Sequence, residues 1–197
     1  MSAPTTRSAS SKARLDQKNA ELITIARAIK RCRICRIGGT GIAVPGEGSA
    51  NAKVMFIGEA PGKEEAKVGR PFIGRSGKFL RAMIASIGLS EQDIFLTSPG
   101  PYLPGSGTPT QDAILHGRTH LAKQLAVIDP RIIVLLGNTA CLALLDRKVP
   151  ISKEHGSIVE KDGRTALITF HPAYAMRFPE GKKQFIRDFE KLKGLMR

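Results

Sequence analysis

Four short apolar segments, separated by stretches with helical periodicity, most constrain the fold of this chain. They are rich in branched or aromatic residues and end at glycine or polar residues: VMFIG (54–58), IFLTS (94–98), IIVLLG (132–137) and ALITFH (166–171). Helices are predicted over 76–88, 111–128, 138–146 and 181–195. This alternation predicts an α/β fold, with a single three-layer α/β/α domain around a central four-stranded parallel sheet.

The N-terminal part divides into a leader and the start of the domain. Residues 1–14 are rich in Ser, Thr and Ala and lack an apolar period, so we expect a disordered basic leader followed by one domain over 15–197. Apolar residues from Leu22 to Ile29 predict an amphipathic helix that ends near the RCRIC segment. Residues 38–52 are predicted to form a loop or an edge hairpin.

The chain is strongly basic, with a formal net charge of +14 and a pI near 10.2. Most of the excess lies at the ends, because residues 1–36 hold nine Lys or Arg against two acidic residues, and residues 177–197 hold seven against three. A solvated tail is the plain explanation of such a charge run. The size of the excess nevertheless favours a polyanionic partner such as nucleic acid.

Cysteine content and hydropathy indicate the compartment. Three cysteines and no secretory signal favour a reducing cytoplasm, and we expect a bacterial protein. The most apolar run, 132–145, is interrupted by Gly137 and Asn138 and is too short for a membrane span, so no membrane partner is predicted. We expect a monomer.

Polar residues stand at the carboxyl ends of the predicted strands, where open α/β sheets bind their ligands. These ends are Gly58-Glu59, Thr97-Ser98, Gly137-Asn138 and His171-Pro172. Glu59 lies in the turn GEAPG, where glycines let the backbone approach a ligand, although such a turn is equally consistent with a structural role.

Two further residues favour a planar ligand. Phe72 stands between Pro71 and Gly74, so its ring is held in a loop where it can stack on a base; the alternative is that it fills the core. His171 precedes a proline, which favours an extended backbone and directs the imidazole away from the strand end, whereas a lone histidine is often structural.

A carboxylate, an aromatic ring and an imidazole in one pocket of a basic protein suit the cleavage of a base–sugar bond. The transition state of such a reaction resembles an oxocarbenium ion, while negative charge develops on the departing base. Donors placed at the base oxygen would stabilise that charge, and a carboxylate would stabilise the sugar cation or orient water. We therefore predict Glu59 and His171 as catalytic residues.

Three motifs together resemble the uracil-DNA glycosylase superfamily, and its family 4 in particular. They are GEAPGKEEAKVGRPFIGRSGKFL, IDPRIIVLLG and TFHPAYAMR, and the similarity runs from about residue 20 to 195. The resemblance implies a base-excision repair enzyme that flips uracil, and possibly other deaminated bases, out of DNA and leaves an abasic site.

The resemblance also implies roles for individual residues. The Glu59 loop would lie against the flipped nucleotide, Phe72 would stack on the base, and His171 would bond the uracil O2. The implied base-binding residues are Gly58, Ala60, Gly62, Phe72, Ser98 and His171. The implied DNA-binding residues are Arg75, Ser76, Met176 and Arg177, with Met176 as a candidate wedge and Arg177 as a phosphate contact.

The sequence departs from the family 4 pattern at the base-reading position. Family 4 enzymes usually carry an asparagine just after the second strand, and this chain has Ser98 there. A hydroxyl is shorter than an amide and cannot make the bidentate contact. We therefore predict looser discrimination between uracil and deaminated purines.

The second departure concerns the iron–sulfur cluster that family 4 holds with four cysteines. Cys32 and Cys35 are present, but Tyr102 and Gly117 occupy the other two positions, and Cys141 lies in an apolar helix pattern. Two thiolates do not make a four-cysteine set, so we predict no cofactor. The alternative is a zinc site formed by Cys32, Cys35, His116 and His120.

Two other functions compete with the glycosylase. A catalytically silent module that binds damaged DNA would keep the pocket and lose the chemistry, as Ser98 and the missing cysteines allow. A zinc base deaminase would need an HxE motif and a downstream PCxxC, and the sequence contains neither.

Overall fold

The computed structural model describes residues 6–196, and nine helices and eight strands follow one another in this range. The helices are α1 (Thr6–Arg31), α2 (Arg33–Arg36), α3 (Lys63–Val68), α4 (Arg75–Ser86), α5 (Gln111–Ile128), α6 (Asn138–Leu145), α7 (Ile151–Glu154), α8 (Pro172–Arg177) and α9 (Pro179–Leu195). The strands are β1 (Gly39–Thr40), β2 (Glu47–Gly48), β3 (Val54–Ile57), β4 (Ile94–Thr97), β5 (Leu103–Pro104), β6 (Ile132–Leu136), β7 (Ile158–Lys161) and β8 (Arg164–Thr169).

Six of these strands form one sheet in the order β2-β4-β3-β6-β8-β7. The inner four strands, which are the four predicted from the apolar runs, are parallel. The edge strands β2 and β7 are antiparallel to their neighbours. The α/β fold with four central parallel strands is therefore confirmed, and two edge strands that were not predicted extend the sheet to six. Strand β2 has only two residues, so the sequence shows no periodicity there. Strand β7, with the sequence IVEK, is half-exposed and too polar to be recognised as an apolar run.

Both faces of the parallel strands are covered, because neighbouring residues along each strand contribute to different clusters. Met55 and Ile57 pack with α5 and α6, while Val54 and Phe56 pack with α4 and α9. All four side chains are completely buried. This explains why the strands are continuously apolar rather than alternating, and it gives the three-layer α/β/α domain that the sequence predicts.

The first helix is longer than predicted. Helix α1 begins at Thr6, so residues 6–14, expected to be disordered, are helical, and residues 1–5 of the expected leader lie outside the described range. Ala, Lys and Arg are strong helix formers and extend a helix without an apolar face, which hydrophobic periodicity misses. The Lys18 ammonium donates to the Ile128 carbonyl at 3.1 Å and ties α1 to the end of α5.

The segment 38–52 contains two short strands that do not pair with each other. β1 pairs with β5 and β2 with β4, so the hairpin alternative is wrong and the segment is a loop that joins two distant strands.

None of the helices within residues 6–196 has both the length and the apolar character needed to span a bilayer.

Candidate active site

The carboxyl ends of the four parallel strands bring the predicted residues to one edge of the sheet. Ser98 follows β4, Glu59 follows β3 and His171 follows β8. The chain leaves β3 for β4 on one side and returns to β6 on the other, so the order of strands switches direction at β3. Ligands of open α/β sheets bind at such a switch point.

A cavity of about 200 Å³ lies at this switch point. Six predicted residues line it: Glu59, Ala60, Gly62, Phe72, Ser98 and His171. Ser76, predicted to contact DNA, also lines it. Its remaining lining includes residues of segment 103–107 and Val44, which the sequence patterns did not indicate.

Phe72 has an unusual backbone conformation, with φ of +53° in the left-handed region. Neighbouring groups hold this conformation. The Arg81 side chain donates to the carbonyls of Phe72 and Pro71, at 3.0 and 3.1 Å. The buried Glu65 carboxylate accepts from the amides of Ile73 and Gly74, at 2.9 and 2.8 Å. The aromatic loop is therefore fixed before any ligand arrives.

Two glycines make room for this loop. A Cβ on Gly58 would lie 2.5 Å from the Cζ of the Phe72 ring, and a Cβ on Gly77 would lie 2.1 Å from the Phe72 carbonyl carbon. Gly58 was predicted to contact the base, but it lies against the Phe72 ring and is not part of the cavity lining. It supports the ring that lines the cavity.

Glu59 is half-buried at the end of β3, and burial raises the pKa of its carboxyl group. A hydrogen-bonding interaction with Thr139, in the first turn of α6, lowers that pKa in part. Thr139 follows β6 and Glu59 follows β3, so both lie at the carboxyl edge of neighbouring strands. Thr139 was missed, although its position after the IIVLLG strand marks it as a carboxyl-edge residue.

His171 is the N-cap of α8 rather than the last residue of a strand, because β8 ends at Thr169. Its Nδ1 accepts a hydrogen bond from the Ala173 amide at 3.3 Å. Since that amide can only donate, the ring carries its proton on Nε2. Burial lowers the pKa of His171 to about 4, so the imidazole is neutral near pH 7. The cavity is thus lined by a neutral N–H donor.

Ser98 occupies the position at the end of β4, and its hydroxyl donates to the Gly100 carbonyl at 2.8 Å. The hydroxyl proton is therefore engaged within the turn. The oxygen keeps lone pairs for accepting a hydrogen bond from a ligand. Ser98 can thus accept from a ring N–H but has no second donor for a neighbouring carbonyl.

A groove of about 550 Å³ adjoins the cavity and shares Gly62, Glu65 and Ser76 with it. It is lined by the other predicted DNA-binding residues, Arg75, Met176 and Arg177. Met176 has 40% of its surface exposed although it is apolar. The Arg177 guanidinium lies over the Phe178 ring, 5.4 Å from its centroid. The groove that adjoins the cavity thus combines an exposed apolar side chain with three basic residues, Lys63 included, and two acidic residues, Glu64 and Glu65.

A second cluster lies between α2 and α5. Cys32, Cys35, His116 and His120 bring their ligand atoms within 4.8 Å of one another, and the Cys32 Sγ lies 3.1 Å from the His116 Nε2. Burial raises the pKa of the Cys35 thiol to about 12, and burial also lowers the pKa of His120. The sequence could not show that these two pairs meet, since 80 residues separate Cys35 from His116.

The fold and the cavity together define a class of protein: an α/β domain with a cavity at the carboxyl edge of its sheet that is lined by an aromatic ring, a carboxylate and a neutral imidazole. The sequence profile of the uracil DNA glycosylase superfamily matches residues 45–193. The chain therefore belongs to this superfamily.

Individual relatives agree with the profile. The chain is 32% identical to the type-4 uracil-DNA glycosylase of Thermotoga maritima over 180 residues, which cover 88% of this chain and 93% of the relative. It is 35% identical to the type-4 uracil-DNA glycosylase of Archaeoglobus fulgidus, covering 85% of this chain and 89% of the relative. It is 36% identical to the type-4 uracil-DNA glycosylase of Saccharolobus solfataricus, covering 86% of this chain and 83% of the relative.

Proposed function

We propose that this protein hydrolyses the bond between uracil and deoxyribose in DNA, leaving an abasic site for base-excision repair. The observation that carries this proposal is that Glu59, Phe72 and His171 line a single cavity at the carboxyl edge of the sheet. Membership of the superfamily supports the same reaction class.

His171 supplies the donor for the departing base. As the base–sugar bond lengthens, negative charge accumulates on the uracil oxygens, and the Nε2–H donates to the O2 carbonyl where that charge develops. A neutral imidazole suits this role. The pKa of about 4 keeps the ring uncharged in the ground state, and the N–H of a neutral imidazole is too weak an acid to pass its proton to the uracil anion. The Ala173 amide holds the ring in the required tautomer.

Glu59 acts on the sugar. The half-buried carboxylate stabilises the oxocarbenium character of the sugar and orients the attacking water. The water oxygen bonds to C1′ as the C1′–N1 bond breaks, and the bonding pair leaves with uracil. The proton that the attacking water releases balances the one that uracil finally takes up. Because burial strengthens a charge–charge interaction, the partial desolvation that raises the pKa of Glu59 also strengthens this stabilisation.

Phe72 and the groove provide binding and base flipping. The ring stacks on the base, and its left-handed backbone, fixed by Glu65 and Arg81, avoids a loss of loop entropy on binding. Met176 fills the space that the flipped base vacates, and Arg75 and Arg177 contact phosphates. Base extrusion costs a few kcal/mol, which these contacts offset.

Ser98 sets the specificity. The proton of its hydroxyl is engaged by Gly100, so the side chain offers one acceptor to the base and no bidentate contact. One missing hydrogen bond in a base-reading site weakens discrimination, and we expect deaminated purines to be excised as well as uracil.

The first test is excision from a labelled uracil-containing oligonucleotide, detected as strand cleavage after alkali. Wild-type protein should cleave, and Glu59→Ala and His171→Ala should each lose on the order of 10²-fold or more in rate. A parallel series with hypoxanthine and xanthine tests the Ser98 inference, which a strict preference for uracil would overturn.

Intact DNA binding without cleavage would instead favour the silent damage-binding module. Binding must be measured at several salt concentrations, because a protein with a charge of +14 binds any DNA at low salt. Monomeric state and cytoplasmic location stay predictions.

A further inference from the structure

Four side chains form a tetrad outside the proposed active site: Cys32, Cys35, His116 and His120. Cys32 is the N-cap of the single-turn helix α2, where its Sγ accepts from the Cys35 amide at 3.2 Å. This bond holds the Cys32 sulfur against the turn that carries Cys35. His116 and His120 lie one turn apart on α5, so their rings share one face of that helix.

The local spacings are those of a tetrahedral metal site. Cys-x₂-Cys and His-x₃-His are the ligand pairs typical of structural zinc, and sulfur and imidazole nitrogen are its preferred donors. A tetrahedral zinc ion with bonds of about 2.0–2.3 Å places its ligand atoms roughly 3.3–3.8 Å apart. The tetrad atoms are all within 4.8 Å of one another, so small rotations of the side chains complete the geometry.

His120 is the member that lacks a partner. Both of its ring nitrogens are buried, and neither has a hydrogen-bond partner among residues 6–196. A buried polar atom without a partner costs about 1–3 kcal/mol, and native structures rarely keep one without a reason. A metal ion bound to one ring nitrogen removes part of this penalty.

The iron–sulfur cluster that the family 4 resemblance implies does not fit these residues. Such a cluster spreads four thiolates over several iron atoms, and this site has two thiolates and closely spaced donors. The other two expected positions have packing roles. The Tyr102 hydroxyl donates to the Lys30 carbonyl at 3.3 Å, and a Cβ on Gly117 would lie 1.9 Å from the Pro99 oxygen.

We propose that Cys32, Cys35, His116 and His120 bind one zinc ion, which joins the end of α1 and α2 to α5. This junction supports the cavity, because Gly117 of α5 packs against Pro99 and Gly100 packs against the Glu59 carbonyl. The ion is structural, because all four coordination positions are filled by protein side chains and none is left for water or substrate.

The test is the metal content of the full chain. The protein is expressed with both iron and zinc supplied, purified without oxygen, and assayed for zinc, iron and acid-labile sulfide. We expect one zinc per chain and no sulfide. Stoichiometric iron with sulfide, or protein without bound metal, would overturn the proposal.

Variants assign the ion to the tetrad. Cys32→Ser and His120→Ala should lower the zinc content about tenfold or more, while Cys141→Ala, a change at the one remaining cysteine, should retain it. His120→Cys restores a four-ligand set and should retain zinc even if the alanine variant does not fold. Zinc that persists in both ligand-removing variants would contradict the assignment.

Chelated wild-type protein provides a second readout. Added Co²⁺ should give the visible spectrum of a tetrahedral sulfur–nitrogen site, and the melting temperature of the chelated form should fall by on the order of 10 °C. An unchanged melting temperature without a cobalt spectrum would overturn the proposal. None of these measurements uses excision activity, so their outcome is independent of the proposed function.

Discussion

The proposed active site and the Cys–His tetrad differ in how completely the protein satisfies their polar groups. In the cavity, Glu65 accepts two backbone amides, His171 accepts the Ala173 amide, and Ser98 donates to Gly100. In the tetrad, within the part of the chain that the structure describes, the ring nitrogens of His120 have no partner. The cavity is preorganised by the protein alone, whereas the tetrad leaves His120 unsatisfied among residues 6–196, which is why we propose a metal ion there.

The difference follows from how each site is built. The cavity lies on the ends of adjacent parallel strands, whose pairing fixes the positions of the loops that follow them. The tetrad joins a single-turn helix to the middle of α5, and among residues 6–196 no backbone hydrogen bond connects the two helices. A metal ion is the kind of cross-link that such a junction uses for stability.

The largest expected effect is the loss of excision when the negative charge of Glu59 is removed from the cavity. Activity that survived this change would contradict the comparison most clearly. Glu59→Gln keeps the shape of the side chain and removes the charge that we propose stabilises the sugar, so we expect excision to fall by on the order of 10²–10³-fold. Single-turnover excision measures this. Glu190→Gln, an equal change of charge at an exposed residue of α9, should keep the wild-type rate. Equal rates in the two variants would show that Glu59 acts only through its backbone.

The dependence of folding stability on pH tests whether His171 is buried in the cavity. The pKa of His171 is about 4 in the folded protein and near its ordinary value of 6.5 in the unfolded chain. Between these values the unfolded chain binds more protons, so stability falls as the pH is lowered from about 6.5 to about 4. The loss from this residue is up to about 3 kcal/mol.

Denaturant unfolding at pH 7.5 and pH 4 measures that loss. His171→Gln cannot be protonated, so it should lose less stability than wild type over the same interval, and all other groups titrate alike in both proteins. Identical losses in wild type and variant would place His171 in a solvated environment.

A side chain added at Gly58 can displace the Phe72 ring, because Gly58 packs against that ring. In Gly58→Ala the new Cβ would lie 2.5 Å from the Phe72 ring, so the ring must shift, and we expect kcat/KM to fall about tenfold. Gly194→Ala is the matched control, because its Cβ meets no atom within 4 Å. Unchanged excision by Gly58→Ala would mean that the position of the ring does not limit the reaction.

The smallest expected effect concerns the groove beside the cavity. Arg177→Ala removes one phosphate contact. The affinity should then depend less on salt, and the magnitude of the slope of log affinity against log salt should fall by about 1. Titrations at several salt concentrations measure the slope. Arg131→Ala is the control, since Arg131 precedes β6 and lies at the opposite edge of the sheet. Equal slopes in both variants would mean that Arg177 does not contact a DNA phosphate.

Most residues of the candidate site could be predicted from sequence because they belong to short motifs at strand ends. The GEAPG turn and the HPAY segment specify their own backbone through glycine and proline, and parallel pairing brings them together. Thr139, Glu65 and Arg81 escaped prediction for a different reason. Glu65 and Arg81 resemble ordinary polar helix residues, so no local signal marks their contacts with the Phe72 loop. Thr139 does follow a strand end, but its interaction with Glu59 depends on how the loops after β3 and β6 meet.

The sequence by itself determined the four parallel strands, the helices that cover them and the residues at the strand ends, because periodicity and turn chemistry are local properties. Only the tertiary structure decided that His116 and His120 meet Cys32 and Cys35, and that Phe72 has a left-handed backbone held by Glu65 and Arg81. The first of these contacts joins segments about 80 residues apart, and the second joins the Phe72 loop to side chains eight to ten positions away on α3 and α4. Their formation depends on how the helices pack on the sheet, and no local pattern of residues specifies that.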